Sequence, residues 1–396
     1  MNFVFVSPHF PDNFRFYCQA LRRNGVTVLG IADTPFEALH PELQASLSDY
    51  FQVGALEDGE QMLKALGYFT WRHGKIDWLE SNNEYWLEQD AWLREAFHIT
   101  TGPLPENMDD FKRKSRMKAV YAKAGVRTPP WQLLEDAQQA AAFGKKAGYP
   151  LIIKPDSGVG ASDTHRADNE EELLKLCARL PIKPYIMEKR VEGEVCSYDA
   201  LIGAQGQPLY ETGNITRGNI MDMVNKGDDC TFYIVPQLPR DLLDLGRACV
   251  AAYGVRQRLI HFEFFRLTQD QDGLGRKGDL LGLEVNMRPS GGYSSDMINY
   301  AGSVDIYQMW ADMVCHDRVQ IDTSRLTYYC LFLGRRDFKH YAHPHGALLA
   351  DWGHRVVMQG RMPDALSGTM GNQMYLLRCK NQDEVDAFLE YAGKVR

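Results

Sequence analysis

Short apolar runs alternate with helical patterns over the first hundred residues of the chain. Phe3–Ser7, Thr27–Ile31 and Ile76–Glu80 are apolar runs of strand length. Between them, apolar residues recur every three or four positions, which is typical of amphipathic helices. This spacing predicts helices at Asn13–Arg23, Glu60–His73 and Tyr85–Phe97. Because strands that alternate with helices form parallel sheets, residues 1–105 are predicted to be a small α/β domain.

The pattern changes after this domain. A basic amphipathic helix is predicted at Met108–Lys123 and ends at Gly125. Residues 131–185 then contain a helix, a strand at Leu151–Lys154, a glycine-rich turn and a helix at Asn169–Leu180, and this compact segment could move as a unit. Residues 106–185 are predicted to be one subdomain.

The remainder of the chain is predicted to be α+β. Residues 186–325 begin with consecutive strands up to about Glu211, and 326–396 combine strands with a final helix. This last segment is expected either to cap a cleft or to form a homodimer contact. The other predicted elements are a helix at Asp241–Tyr253, strands at Leu259–Arg266 and Leu280–Asn286, and a helix from Gln382.

Composition narrows the class of protein. The net charge of −8 gives no basic surface of the kind that nucleic-acid binding requires. The eight cysteines form no Cys-x-x-Cys pair, which favours reduced thiols in a cytoplasmic protein. No apolar run approaches the roughly 18 residues of a membrane span, and the first residues do not resemble a signal peptide. A dinucleotide site after the first strand is not expected, because the turn at residues 7–12 lacks Gly-x-Gly-x-x-Gly.

The first candidate site lies at the end of the strand Leu151–Lys154. Lys154 is followed by Pro-Asp-Ser-Gly-Val-Gly-Ala-Ser up to Ser162. A lysine before a flexible turn can meet a polyphosphate while backbone N–H groups surround its oxygens, and glycine permits the close approach. The alternative is an ordinary turn beside a surface lysine.

Two further strands carry polar residues at alternate positions. Glu284, Asn286 and Arg288 share one face, because side chains two residues apart in a strand point the same way. A carboxylate and an amide oxygen suit Mg²⁺, and an arginine suits a developing anion. In the strand Leu259–Arg266, Glu263 lies among aromatic residues and would be costly to bury without a partner. His261 shares its face, where a structural role is the better interpretation.

A fourth segment, Tyr185–Glu194, contains a strand that runs into a turn. Backbone groups there could contact an adenine edge, and a carboxylate a few residues later could bind ribose hydroxyls. Taken alone, the segment is only a strand followed by a turn.

Along the chain, the order of these segments is the lysine-bearing helix, the strand with Lys154 and its glycine-rich turn, the Tyr185–Glu194 segment, the strand with Glu263, and the strand with Glu284 and Asn286. In this order, over about Lys114 to Val314, they resemble the ATP-grasp superfamily, which includes biotin carboxylase, carbamoyl phosphate synthetase and D-alanine–D-alanine ligase. The resemblance implies two α+β subdomains that clasp ATP after a smaller α/β domain. It implies an ATP-dependent ligase that activates a carboxylate as an acyl phosphate for attack by an amine. The implied cofactors are ATP and one or two Mg²⁺ ions, with Mn²⁺ as an alternative.

The resemblance also implies roles for individual residues. Lys226 is expected at the γ-phosphate, Arg288 beside the transferred phosphoryl group, and Glu194 at the ribose. The position that is acidic in many members is Val195 here, so Glu192 competes with Glu194. The expected phosphate contacts are Lys114, Lys154, Ser157, Gly158, Gly160 and Ser162; the adenine contacts are Glu188, Lys189 and Val191; and the metal ligands are Glu263, Glu284 and Asn286.

The sequence leaves two other functions open. One is a carboxylase or carbamoyl-phosphate type of enzyme that uses bicarbonate as the acid. The other is a non-catalytic ATP-binding regulatory protein, against which the intact set of lysines and acidic residues argues. The acceptor pocket is expected to use the loop from Thr212 to Thr231, Arg217 included, and residues 290–293.

Overall fold

A four-stranded parallel sheet begins the chain. The computed structural model describes residues 1–158, 163–181, 183–216 and 226–396. The sheet has the order β3-β2-β1-β4, and each neighbouring pair is parallel. This confirms the predicted parallel sheet of the first domain. Its strands are β1 Asn2–Val6, β2 Thr27–Ala32, β3 Asp49–Gln52 and β4 Trp78–Glu80, and its helices are α1 Arg15–Arg23, α2 Pro41–Ser46, α3 Gly59–His73 and α4 Leu87–Ala96, with 3₁₀ turns at Asp12–Phe14, Phe36–Ala38 and Pro105–Asn107.

The predicted helix at Met108–Lys123 is two helices. It consists of α5 Met108–Lys112 and α6 Lys114–Lys123, with Arg113 in an extended conformation between them. Arg113 forms an isolated bridge with Ser157, and the backbone N–H of Lys114 donates to the carbonyl of Asp156 (2.7 Å). The helix breaks because these contacts with a distant loop replace its own hydrogen bonds. The predicted glycine stop is confirmed, since Gly125 follows α6 with a φ of +73°.

A second, antiparallel sheet has the order β5-β8-β6-β7. Its buried residues form a core of their own with the two helices that cover it. The predicted helix at Asn169–Leu180 is shorter than expected. The elements of this unit are β5 Trp131–Leu134, α7 Ala137–Ala147, β6 Leu151–Pro155, β7 His165–Ala167, α8 Glu170–Cys177 and β8 Tyr185–Lys189.

Nine strands of the described chain form the largest sheet, in the order β14-β13-β9-β11-β12-β15-β17-β16, with β10 paired to β9. The strands are β9 Gly193–Ile202, β10 Pro208–Thr212, β11 Asn214–Thr216, β12 Cys230–Ile234, β13 Arg258–Leu267, β14 Leu280–Asn286, β15 Tyr329–Arg335, β16 Val356–Arg361 and β17 Gln373–Cys379. The accompanying helices are α9 Arg240–Tyr253, α10 Ser294–Gly302, α11 Ile306–His316, α12 His345–Trp352, α13 Asp364–Met370 and α14 Gln382–Gly393.

The C-terminal strands therefore continue a sheet that begins near residue 193. Strands β15, β16 and β17 extend the sheet that also contains β13 and β14. The division of the chain at residue 325 stays a prediction. None of the helices in the described part of the chain combines the length and the apolar character that a membrane crossing requires.

One buried aromatic cluster joins the first sheet to the last helices. The indole of Trp310 in α11 lies edge-on against Phe3 and Tyr17, with ring centroids 5.5 and 5.0 Å apart. The same core contains Phe332 of β15. The N-terminal domain and the C-terminal strands thus share apolar contacts.

Replacing Trp310 with alanine should destabilise the whole protein. Trp310 is 1% exposed, and losing a buried tryptophan costs about 3–5 kcal/mol of unfolding free energy. Urea denaturation followed by circular dichroism measures the loss. Trp71→Ala is the control, because Trp71 is 81% exposed and should change stability by less than about 0.5 kcal/mol. Equal effects of the two substitutions would contradict the shared core.

Candidate active site

Two carboxylates face each other across β13 and β14. Glu263 is directly opposite Glu284, and His261 is opposite Asn286. The ladder shifts register immediately afterwards, since Phe264 pairs with Gly282 and Leu283 is left over as a bulge. Val285 and Met287 are buried in the apolar core, which places the polar residues of β14 on the other face as expected. Like charges directly opposite each other destabilise a sheet unless a cation offsets them.

Helix α6 holds this bulge in place. The Lys118 ammonium donates to the carbonyl oxygens of Gly282 (3.3 Å) and Leu283 (3.0 Å). The Tyr121 hydroxyl donates to the carbonyls of Glu284 (2.9 Å) and Glu263 (3.2 Å). A Cβ on Gly282 would lie 2.9 Å from the Tyr121 ring, so only glycine permits this approach. Bulges commonly re-aim side chains beside active sites, and this one adjoins the two carboxylates.

A buried carboxylate lies between two lysines. Glu188, near the end of β8, lies 2.7 Å from the Lys154 ammonium and 2.8 Å from the Lys118 ammonium. The contact with Lys118 is a close ion pair whose angle is poor for a directed hydrogen bond. Burial alone would raise the pKa of Glu188, but the two ammonium groups outweigh it and lower the pKa to about 2. Burial lowers the pKa of Lys118, and Glu188 opposes this only in part. Burial also acts to lower the pKa of Lys154, but attraction to Glu188 and Glu284 raises it overall.

A third lysine joins this group from the start of α6. The Lys114 ammonium lies 3.2 Å from Glu284 and 3.4 Å from the carbonyl of Gly158. Asp156 accepts hydrogen bonds from the backbone and hydroxyl of Ser115 (2.8 and 3.0 Å) and so fixes the loop to the helix. The structure therefore brings Lys114, Lys154 and Glu284 into one electrostatic cluster and places Ser157 and Gly158 beside it. Gly160 and Ser162 lie outside the described residues.

Arg288 lies at the far end of the β14 face. Its guanidinium donates to the Asn286 side-chain oxygen (3.1 Å) and to the Pro289 carbonyl (2.8 Å). Its Nε is 3.8 Å from a carboxylate oxygen of Glu84, which comes from the loop after β4. Burial raises the pKa of Glu84 even though Lys112, 3.1 Å away, and Arg288 act to lower it. The N-terminal domain thus contributes a carboxylate to the edge of the cluster.

His261 connects the cluster to β9. Its Nδ1 is 2.7 Å from Asp199, and its Nε2 is 3.4 Å from Glu263. Burial would lower the pKa of His261, but the attraction of Asp199 outweighs it and raises the pKa to about 9. The charged imidazole, followed by Arg288 and Lys154, lowers the pKa of Glu263 against the opposing effect of burial.

The other residues predicted to bind adenine and ribose make contacts outside the cluster of lysines from α6 and β6. The Lys189 ammonium donates to the Asp272 carbonyl (2.9 Å), and Val191 packs against Leu267 and Leu281. Glu194 is paired across the ladder with Arg266. Glu192 contacts Arg190 and Gln269 in the same outer region.

Lys226 is exposed, and no ion pair to the lysine–glutamate cluster is found for it within the described residues. Arg217 lies outside the described residues. The expected contacts of Lys226 with a γ-phosphate and of Glu194 with ribose therefore stay predictions.

The oxygens of Glu263, Glu284 and Asn286 suit a divalent cation. Two carboxylates and an amide oxygen are the hard ligands that Mg²⁺ prefers, and the sheet places them on one face. Within the described ranges there is no group of three His, Cys, Asp or Glu side chains that could hold a metal. A cation bound by Glu263 and Glu284 would therefore take the side-chain oxygen of Asn286 as its third protein ligand.

Comparison with known proteins finds similarities in sequence and in fold. Residues 113–181 match the family model of the carbamoyl-phosphate synthase L chain ATP-binding domain. Over 98% of its length the chain superposes on an L-amino acid ligase from Bacillus licheniformis, covering 96% of that chain with a TM-score of 0.71 and 17% identity. The biotin carboxylase domain of a Hydrogenobacter thermophilus 2-oxoglutarate carboxylase, solved with MgADP and bicarbonate, aligns over 100% of this chain and 90% of its own at a TM-score of 0.69 and 16% identity. The chain thus shares the fold of these enzymes.

Curated relatives match the chain over part of its length. An L-arginine-specific L-amino acid ligase from Bacillus subtilis is 25% identical over 258 residues, which are 62% of this chain and 60% of the relative. The small subunit of the Hydrogenobacter thermophilus 2-oxoglutarate carboxylase is 38% identical over 91 residues, 22% of this chain and 19% of the relative. The chain thus spans three fifths or less of the length of these relatives.

Sequence reasoning missed two charged residues of the lysine–glutamate cluster. Lys118 lies four residues after Lys114, so the helical repeat could have placed both lysines on one face of α6. Glu84 follows β4 at the carboxyl end of a parallel sheet, where ligand sites commonly lie, and this position was the available signal.

Replacing Glu188 with glutamine should make the protein less stable near neutral pH. Because the folded-state pKa of about 2 is below the ordinary 4.5, the stabilisation by Glu188 is present above about pH 4.5 and is lost as pH falls towards 2. We expect a deficit of about 3 kcal/mol near pH 7, since two buried lysines lose their counter-charge. Urea unfolding of both proteins at descending pH measures it.

The deficit should shrink as the pH falls, because wild-type Glu188 becomes neutral as well. Glu171→Gln is the control, since Glu171 pairs with Lys175 on the exposed face of α8. A deficit that does not change with pH would show that the charge of Glu188 is not what stabilises the pair of lysines.

Proposed function

We propose that the chain is an ATP-dependent ligase that activates a carboxylate as an acyl phosphate and transfers the acyl group to an amine. The observation that carries this proposal is the cluster of Lys114, Lys118 and Lys154 around Glu188 and Glu284. Three ammonium groups at the edge of a pair of opposed carboxylates form a site for a triphosphate with its metal. The similarity to L-amino acid ligases supports the choice of a carboxylate and an amine.

In the first step an oxygen of the substrate carboxylate attacks the γ-phosphorus of ATP. The bond between the γ-phosphorus and the bridging oxygen breaks, and ADP leaves with the electron pair. Lys114 and Lys154 offset the charge on the transferred group and hold it in line, so catalysis is mainly positioning and charge stabilisation. Mg²⁺, as one or two ions with Mn²⁺ as an alternative, would be held by Glu263, Glu284 and Asn286 and would neutralise triphosphate oxygens.

In the second step the amine nitrogen attacks the acyl carbon and loses a proton as phosphate leaves. Arg288 adjoins the proposed metal ligands and stabilises the oxyanion of the tetrahedral species. The adenine would lie along the end of β8 at Lys189 and Val191, with Glu194 or Glu192 at the ribose. The β5–β8 sheet would cover the acyl phosphate and exclude water until the amine binds.

Glu284→Gln and Lys154→Met should each lower turnover by about 10²–10³, because each removes a charge that is used in the transition state. Coupled assay of ADP release at saturating Mg²⁺ measures this. Lys175→Met is the control, because the ammonium of Lys175, in the same unit, pairs with exposed Glu171 (2.6 Å). ADP release close to the wild-type rate by either site variant, with the fold intact by circular dichroism, would refute the assignment.

The substrate pair is found by a screen for ADP release that crosses amino acids and other carboxylic acids with amines. We expect ADP and phosphate to form in equal amounts only when both an acid and an amine are present. Release with bicarbonate and no organic acid would instead indicate a carboxylase or carbamoyl-phosphate enzyme. A stable phosphorylated product would indicate a kinase, and tight ATP binding without turnover a regulatory protein.

A further inference from the structure

A cavity of about 410 Å³ opens at one end of the C-terminal strands. Arg335 at the end of β15, Tyr375 of β17 and Arg361 of β16 line it, together with Tyr341 and His345. Leu331 and Leu333, on the same face of β15 as Arg335, pack in the core beneath α12 and α14, while Cys330 and Phe332 face the other core. The cavity therefore adjoins the face of β15–β17 that α12 and α14 cover, whereas Glu263 and Glu284 lie at the opposite end of the strand order.

The lining of this cavity is strongly cationic. The side chains that line it are those of five arginine or lysine residues and two histidines but of a single acidic residue, Asp337, although the chain as a whole has a net charge of −8. Asp337 is paired with Arg361, and Lys339 is 3.1 Å from Asp229. For Arg335 and Arg336, no carboxylate lies within ion-pair distance in the described part of the chain. Two adjacent buried cations thus lack a counter-charge.

Arg335 is 4% exposed, and the centre of its guanidinium lies 4.2 Å from the Tyr341 ring centroid. Nη1 donates to the His343 carbonyl (2.8 Å) and Nη2 to the Ala392 carbonyl (2.6 Å). These bonds engage two of its five N–H donors, and its buried Nε has no hydrogen-bond partner among the described residues. The two carbonyls and the rings of Tyr341 and Tyr375, the second with its centroid 5.9 Å away, offset part of the charge. The buried Nε–H is still left without an acceptor, which is costly away from water.

Arg336 differs from its neighbour. Its guanidinium donates to four backbone carbonyls, those of Asp228, Ser367, Gly368 and Thr369. It is therefore committed to holding these loops. Arg335 is the arginine that retains an unmatched donor at the cavity.

Two neighbouring groups suit the same kind of ligand. Helix α12 begins at His345, and its N-cap Pro344 supplies no side-chain acceptor for the first N–H groups. Such a helix start favours an anion. His345 shares a hydrogen bond between its Nδ1 and the Tyr375 hydroxyl (2.7 Å), a bond that does not involve its Nε2.

We propose that this cavity is a second ligand site, which binds a small molecule through an oxyanion, either a phosphoryl group or a carboxylate. Arg335 is the central donor, and His345 with the start of α12 lies at its rim. The volume is that of a small-molecule site, for which about 300–1,000 Å³ is usual. The site is separate from the proposed ATP cleft and does not depend on the function proposed for that cleft.

Isothermal titration calorimetry of the full chain tests the proposal with inorganic phosphate as the phosphoryl probe and citrate as the carboxylate probe. We expect saturable binding of at least one probe at one site. Arg335→Gln should weaken it by about tenfold or more, because a charged hydrogen bond is lost. His345→Ala should weaken it several-fold, and this exposed position keeps the test valid if Arg335→Gln does not fold. Binding of phosphate alone, of citrate alone or of both identifies the source of the oxyanion.

Two variants serve as controls. Arg355→Gln removes an arginine beside the same sheet that pairs with Glu384 and does not line the cavity, so binding should not change. Lys154→Met alters the proposed ATP cleft and not the cavity, so binding in the cavity should not change. This variant would abolish binding only if the probe were bound in the ATP cleft. No saturable binding of either probe at millimolar concentration, binding unaffected by the cavity substitutions, or binding abolished by Lys154→Met would overturn the proposal.

Discussion

Glu188 lies between two ammonium groups, and the rest of the candidate site depends on this arrangement. Lys118 and Lys154 are both buried and would repel each other without the carboxylate between them. An isolated cation in a protein interior loses its proton or draws in a counter-ion. With Glu188 ionised, both lysines can stay charged within reach of Glu284. The site can then present positive charge to a polyphosphate, and the fold is not destabilised by unpaired buried lysines.

This arrangement uses elements that are distant in the sequence. Lys114 and Lys118 come from α6, Lys154 and Glu188 from the small antiparallel sheet, and Glu284 from the large sheet. The bulge at Leu283 is the point where they meet, because Lys118 and Tyr121 bind the carbonyls on either side of it. A short helix therefore aligns the carboxylate face of β14 and also contributes two of the three cations.

Local patterns predicted much of this fold and part of the site. The strands Leu280–Asn286 and Leu259–Arg266 and the shared face of Glu284 and Asn286 follow from two-residue periodicity, which is a property of the strand itself. The break at Arg113 could not be predicted in this way, because its cause is a bridge to Ser157. The partner of Glu84 could not be predicted for the same reason, because its contact with Arg288 spans about two hundred residues, although its position after β4 was an available signal.

The C-terminal strands could be predicted from the sequence only in part. Their apolar runs predicted strands, but their membership in the sheet of β13 and β14 depends on pairing with β12, which periodicity does not encode. The cationic cavity gave no signal either. Its arginines are spread from 335 to 396, and their proximity arises only from the sheet order.

The separate core of the β5–β8 sheet bears on how a nucleotide could enter. Phe3, Tyr17 and Trp310 bind the first and last parts of the chain into one body, so hinge motion there would expose apolar surface. The described residues of the β5–β8 unit form a separate apolar cluster, and the unit makes polar contacts with the rest of the chain, such as Lys118–Glu188. If this unit moved away, Lys118 would lose its partner carboxylate. A triphosphate that bound at that moment would meet an ammonium group without a counter-charge. Access and affinity would thereby be governed by the same ion pair.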